Sequence, residues 1–166
     1  MLLGNFSINM ATKESVYQLL EQISDPEIPV LTIIDLGIVR DVTFKGENDI
    51  QVDITPTYSG CPAMDMIANQ IKVQLISNGF KNVEIQEVLS PAWTTDWMSG
   101  QGKQKLKEYG ISPPSRLLNA QNKTEVICPR CDSTHTELIS EFGSTACKSM
   151  YKCLDCLEPF DYFKCH

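Results

Sequence analysis

Apolar residues in the first half of the chain recur with two periods. Val16, Leu19, Leu20 and Ile23 stand at i, i+3, i+4 and i+7, one stripe of a helix. Thr12 can cap it, and Pro26 disfavours a helical residue before it, so the helix ends by Ser24 or Asp25. Residues 38–44 then alternate, with Ile38, Arg40, Val42 and Phe44 on one side of a strand. KGEND reads as a turn and residues 50–55 as the next strand, most simply an antiparallel hairpin. Met64, Ile67, Ala68, Ile71 and Leu75 form a second helical stripe that opens at Pro62 and stops at Asn78-Gly79. Val83 to Val88 is the third strand. Helix, strand, strand, helix, strand predicts a compact α+β domain over residues 11–90, with both helices on one face of the sheet.

Two stretches depart from these periods. DPEIPVLTIIDLG, between the first helix and the first strand, holds two prolines and three carboxylates, Asp25, Glu27 and Asp35. Ile28, Val30, Leu31, Ile33 and Ile34 are too apolar to be left in water, so it reads as an ordered loop. From Pro91 the strand pattern stops, and residues 91–123 read as a tryptophan-containing extension and linker. Thr94, Thr95 or Asp96 can cap a short turn, Gly102 to Tyr109 a short helix ended by Gly110, and Pro113-Pro114 with the polar run to Lys123 makes the linker. Trp93 and Trp97 either seal the edge of the first domain's core or form a docking surface; large aromatics serve both purposes, the first more often.

The net charge of −7 is uneven: −7 over residues 1–90, +2 over 91–121 and −2 over 122–166. That distribution lacks the basic footprint of a nucleic-acid binder. The one basic patch, Lys103, Lys105 and Lys107, reads as the solvated face of a helix. No segment approaches the roughly 18 apolar residues of a membrane span, and MLLGNFSINM makes a poor export signal. Neither a nucleic acid nor a membrane is expected as a partner. Four of the seven cysteines form two C-x-x-C pairs, a pattern of reduced thiols on metal that fits the cytoplasm.

Those pairs lie in residues 124–166. Cys128 and Cys131 are separated from Cys153 and Cys156 by twenty-one residues, enough for a hairpin between two tight turns. This is the spacing of a four-cysteine zinc ribbon, and a segment this short needs such a staple to fold. Four thiolates also suit iron or a cluster, but closed structural sites of this kind usually hold zinc. A closed tetrahedron has no open position for Lewis-acid chemistry, so the ribbon reads as a support or docking platform. Cys147 and Cys165 read as a small buried hydrophobe and a tail residue, and His135 and His166 as surface or hairpin residues.

A further cysteine stands in TPTYSGCPAMDM, where the second strand gives way to the second helix. Gly60 supplies a flexible corner, Cys61 falls at the helix entrance, and Pro62 suits the first helical position. The helix dipole and unpaired amides there favour a thiolate, the form that binds metal or attacks an electrophile. Alternatively Cys61 is a small residue buried at a tight turn. A nucleophile needs a base, and the first domain contains no histidine.

DPEIPV, DLGIV and TPTYSGCPAM together resemble the metal–sulfur cluster biosynthetic domain of bacterial SufT-like proteins and of the eukaryotic cytosolic iron–sulfur targeting factor. PAWTTDWMS and FGSTACKSMYKCLDCLEPFDYFKCH resemble the PaaD family of the phenylacetyl-CoA ring-epoxidising system. The resemblance implies an accessory subunit in aerobic phenylacetate breakdown. Such a subunit leaves the chemistry to a diiron oxygenase and an iron–sulfur reductase and assists assembly of their iron or iron–sulfur centres. Its signature residues fall on Asp25, Glu27 and Cys61. Cys61 would be a transient iron or cluster ligand, completed by a client or by a second copy in a homo-oligomer. Asp25 and Glu27 would be oxygen ligands for iron, or simply turn carboxylates.

Overall fold

The structure is a computed structural model that describes residues 12–118 and 124–164. The lead-in before Thr12, the last part of the linker, Cys165 and His166 lie outside those residues.

The first lobe has the expected element order. Helix α1, Lys13–Leu20, opens on a capping box in which Thr12 and Ser15 exchange backbone and side-chain hydrogen bonds. Its last stripe residue, Ile23, is buried but lies past the helix end, where its amide bonds to Leu20 and its carbonyl accepts from Ile33. Strand β1, Val39–Phe44, pairs antiparallel with β2, Asp49–Ile54. Arg40 does not face the core as the alternation predicts. The register shifts between Val39 and Asp41, and the guanidinium lies over the Trp97 ring, 3.5 Å from its centre. Helix α2, Ala63–Ser77, then crosses over to β3, Asn82–Glu87, which runs parallel to the central strand β2. Ile50, Val52 and Ile54 of β2 are buried in one cluster with Ile67, Ile71 and Leu75 of α2 and Val16 and Leu20 of α1, so both helices cover one sheet face. Full burial of each such side chain contributes about 1.5–3 kcal/mol.

The extension packs against both lobes. A single 3-10 turn, Thr95–Trp97, precedes helix α3, Gly100–Tyr109, which Ser99 caps and Gly110 ends in the left-handed conformation. The lysines of α3 are not simply a solvated face. Lys105 reaches the buried Asp35 at 2.6 Å, and Lys107 pairs with Asp132 in the ribbon. Ser99 also donates to Asp35, at 2.8 Å. Gly102 permits this approach, since a Cβ there would meet Asp35 at 2.9 Å. Trp93 is buried in the first lobe's core, where its indole N–H donates to the Leu36 carbonyl at 2.8 Å.

The second sheet contains β4, Ile111–Ser112, β5, Thr136–Ser140, β6, Lys148–Cys153, and β7, Pro159–Phe163, in the order β4-β7-β6-β5. Only β4 and β7 run parallel, so the end of the extension adds a strand to the ribbon's sheet before the two prolines. Val126, Cys128, Cys153, Phe160 and Tyr162 make a small core beside the C-x-x-C turns. Ile111, Cys147 and Phe163 belong instead to the first lobe's cluster. Phe163 meets Trp93 edge-on, with ring centres 6.1 Å apart at 79°. The two lobes therefore share packing. Among the described residues, no helix is long and apolar enough to cross a membrane.

Candidate metal centre and the Cys61 loop

The two C-x-x-C turns converge. The sulfurs of Cys128, Cys131, Cys153 and Cys156 all lie within 4.8 Å of one another, with Cys128 to Cys156 at 3.7 Å and Cys131 to Cys153 at 3.5 Å. Two sulfurs each ~2.3 Å from a tetrahedral ion are about 3.8 Å apart, so the four fit one metal. Each turn closes through a left-handed residue just after its second cysteine, Asp132 with φ 59° and Leu157 with φ 67°. Neither position is glycine, so neither is marked in the sequence as a left-handed corner. Amides serve the sulfurs as well: the Cys156 N–H donates to Cys153 Sγ, and this bond, with the Asp155 amide and the Cys131 and Cys156 thiols, pulls the Cys153 thiol down to about 6 against its burial. His135 lies beside the quartet on a different task, with Nδ1 3.2 Å from the Asp155 carboxylate. The chain thus carries a four-cysteine metal-binding site.

Cys61 lies one residue further out than a helix-entrance position requires. Pro62 is the N-cap of α2, and the Cys61 amide bonds back to the Tyr58 carbonyl at 3.3 Å. The thiolate expected from the helix dipole does not follow. Burial pushes the Cys61 thiol up, and the charges of Glu27 and Asp25 add to the rise. The Ala63 amide and the Tyr58 side chain only partly oppose this. Burial likewise raises Tyr58, together with its hydrogen bond to Cys61 and the charges of Cys61, Glu27 and Cys147.

The DPE loop wraps around Asp25. Its Oδ1 accepts the backbone N–H groups of Glu27 and Ile28, both at 2.8 Å, and so fixes the turn that presents Glu27. Asp25 is buried, which raises its carboxyl in spite of those bonds. The Glu27 carboxylate points to a residue that sequence reasoning treated as packing. Cys147, immediately before β6, is 4% exposed and donates its S–H to Glu27 Oε2 at 3.6 Å. Burial pushes the Cys147 thiol up to about 11. No periodicity could have found this contact, because 120 positions separate the partners.

Asp25, Glu27 and Cys61 are therefore brought into one neighbourhood, apart from the four ribbon cysteines, while His135 remains with Asp155. Beside Cys61 a cleft of about 470 Å³ runs between Tyr58, Ser59, Leu89, Trp93 and Ala146.

Comparison with known proteins bears on both centres. An Escherichia coli protein, named as a putative 1,2-phenylacetyl-CoA epoxidase subunit, is 56% identical over 151 residues, which is 90% of this chain and 91% of that protein. The chain belongs to the PaaD family. Residues 112–164 match the family model described as the PaaD zinc beta ribbon domain, and residues 13–86 match that of an iron-sulfur cluster assembly protein. A Porphyromonas gingivalis protein named as an Fe-S protein maturation auxiliary factor is 33% identical over 98 residues, covering 58% of this chain and 92% of that protein. A solved domain of unknown function (DUF59) from Bacillus anthracis is similar with a TM-score of 0.53 and 32% identity, over 57% of this chain and 90% of that one. These two relatives are matched almost throughout by little more than half of this chain. In this chain a lobe that matches the iron-sulfur cluster assembly model is joined to one that matches the PaaD ribbon model.

Proposed function

We propose that the chain is a non-catalytic accessory subunit of a phenylacetyl-CoA epoxidase system in aerobic phenylacetate catabolism. It assists assembly of the iron or iron–sulfur centre of the partner oxygenase or reductase, with Cys61 as the transient ligand. One observation carries this reading: a half-buried cysteine shares its surroundings with the Glu27 and Asp25 carboxylates beside an open cleft. The names of the relatives, one an epoxidase subunit and one an Fe-S maturation factor, support the same assignment. A cargo site needs few protein ligands, so that a client can supply the rest and take the metal away. In this reading Glu27 offers an oxygen to iron, and Asp25 positions the loop from beneath. Zinc fills the four-cysteine site and holds the ribbon as a docking module for the partner subunit.

A thiol enzyme is the weaker alternative. The side chain hydrogen-bonded to Cys61 is a tyrosine held in its protonated form, and the surrounding charges disfavour a thiolate.

The deciding measurement is iron, zinc and acid-labile sulfide on anaerobically purified wild type and Cys61→Ala, paired with growth on phenylacetate. Cys61→Ala should keep its zinc, lose any iron and fail to support ring epoxidation. Normal growth of the Cys61→Ala strain would refute the assignment.

A further inference from the structure

The hairpin of the ribbon sends one residue out of the ribbon's own core. Cys147 packs in the first lobe's cluster, not with Val126, Phe160 and Tyr162 beside the cysteine quartet. Its backbone and side chain are both held, since its carbonyl accepts the Lys164 N–H at 2.9 Å and Thr145 Oγ1 lies 3.0 Å from its sulfur. A cysteine present only to fill space would face apolar groups. This one aims its S–H at a carboxylate whose backbone amide is held by the Asp25 turn. Lys148, the next residue, is buried too, and its ammonium lies 3.9 Å from Asp161.

Cys61 lies near enough to Glu27 for the same carboxylate charge to act on its thiol, and its amide bonds to the carbonyl of Tyr58, which lines one cleft with Ala146. Tyr58 hydrogen-bonds Cys61 and feels Glu27 and Cys147 as well, and the cleft beside it is lined by Ala146, the neighbour of Cys147. Three segments remote in sequence, the DPE loop, the Cys61 turn and the ribbon hairpin, thus present two thiols and a carboxylate to one region between the lobes.

We propose that Cys61 and Cys147, with Glu27 beside both, form one metal-binding site across the two lobes that takes a ferrous ion as cargo. The proposal rests on the reading of Cys61 as a transient ligand and adds the ribbon's Cys147 as the second thiolate. Two thiolates and a carboxylate are a donor set of intermediate softness that suits ferrous iron. Each thiol gives up its proton as the ion arrives, so one divalent ion, two thiols and one carboxylate yield a site of charge −1 and two released protons. Three protein ligands leave a coordination position for a client. Among the described residues, only the ribbon quartet already has its ligand atoms within 4.8 Å of one another. The looser grouping around Glu27 suits an ion that must leave again. The ribbon then has a second purpose, because its metal stabilises the hairpin that carries Cys147.

The test is an anaerobic titration of zinc-replete, full-length protein with cobalt(II) as the probe for ferrous iron. Zinc outcompetes cobalt at the four-cysteine site, so cobalt reports on the remaining thiols. Wild type should bind one cobalt equivalent with a near-ultraviolet thiolate-to-cobalt charge-transfer band. Cys61→Ser and Cys147→Ser should each weaken the band and lower cobalt affinity by at least about tenfold, with zinc content unchanged. Equal binding by wild type and Cys147→Ser, with loss only in Cys61→Ser, would overturn the two-lobe site and leave the Cys61 reading standing. Absence of a cobalt–thiolate band in wild type would also overturn it, and growth on phenylacetate would then judge Cys61 separately. If Cys147→Ser fails to retain zinc, Glu27→Gln decides, since it leaves every cysteine in place. A similar loss of cobalt affinity supports the site, and unchanged affinity refutes it.

Discussion

Trp93 packs between the first lobe and the ribbon's last strand. It is 4% exposed, its indole N–H donates to the Leu36 carbonyl at 2.8 Å, and its ring meets Phe163 of β7 edge-on. Trp93→Ala removes the packing, the aromatic pair and the hydrogen bond together, a change that costs about 3–5 kcal/mol in a well-packed core. Trp93→Phe keeps most of the packing and leaves the Leu36 carbonyl without its donor, which costs about 1–3 kcal/mol. For a chain of this size each kcal/mol lowers Tm by roughly 2–4 °C, so Trp93→Ala should melt about 6–20 °C below wild type. The assay is thermal unfolding of the zinc-replete protein by circular dichroism. Trp97, stacked under Arg40, remains as a fluorescent reporter of the first lobe. Metal content should not change, because all four ligands of the ribbon's metal lie within the ribbon. A Trp93→Ala protein destabilised by less than about 1 kcal/mol would refute the view that this residue cements the lobes.

Three further outcomes are expected. Cys153→Ser should lose the ribbon's metal and disorder the Tyr151, Phe160 and Tyr162 cluster; metal analysis and the near-ultraviolet tyrosine signal would show it, against the ~10–16 kcal/mol that structural zinc supplies. Asp35 is raised by burial, but Lys105, Thr32 and Ser99 together hold it below its ordinary value, so it stabilises the fold above about 3.9 and that contribution fades as pH falls through its lowered value. Denaturant titrations should find Asp35→Asn less stable than wild type at neutral pH, with the gap closing as pH falls below the ordinary carboxylate range; a constant gap would rule this out. Gly102→Ala places a Cβ 2.9 Å from Asp35 and should cost about 1–3 kcal/mol, whereas Gly100→Ala in the same helix meets nothing within 4 Å and should gain about 0.4–1 kcal/mol, as Tm values would show.

The local periods of the sequence determined most of the first lobe. The stripe from Val16 to Leu20, the alternation from Ile50 to Ile54 and the stripe from Met64 to Leu75 each encode an element whose buried face is set within a few residues. Two C-x-x-C pairs likewise encode the ribbon's metal site, since each turn directs two sulfurs to one point whatever surrounds it. The parallel pairing of β3, the outward turn of Arg40 and the clamping by Lys105 and Lys107 lay outside that reach. Each depends on which remote surface an element meets, and a period carries no such information. The same limit applies at the Cys61 loop. The helix dipole is a local feature, so the sequence argued for a thiolate, while the carboxylates and the burial that disfavour it arrive only through tertiary packing. Cys147 shows it most sharply. In the sequence it is a small residue in a hairpin, and only the docking of the ribbon on the first lobe sets its sulfur against Glu27.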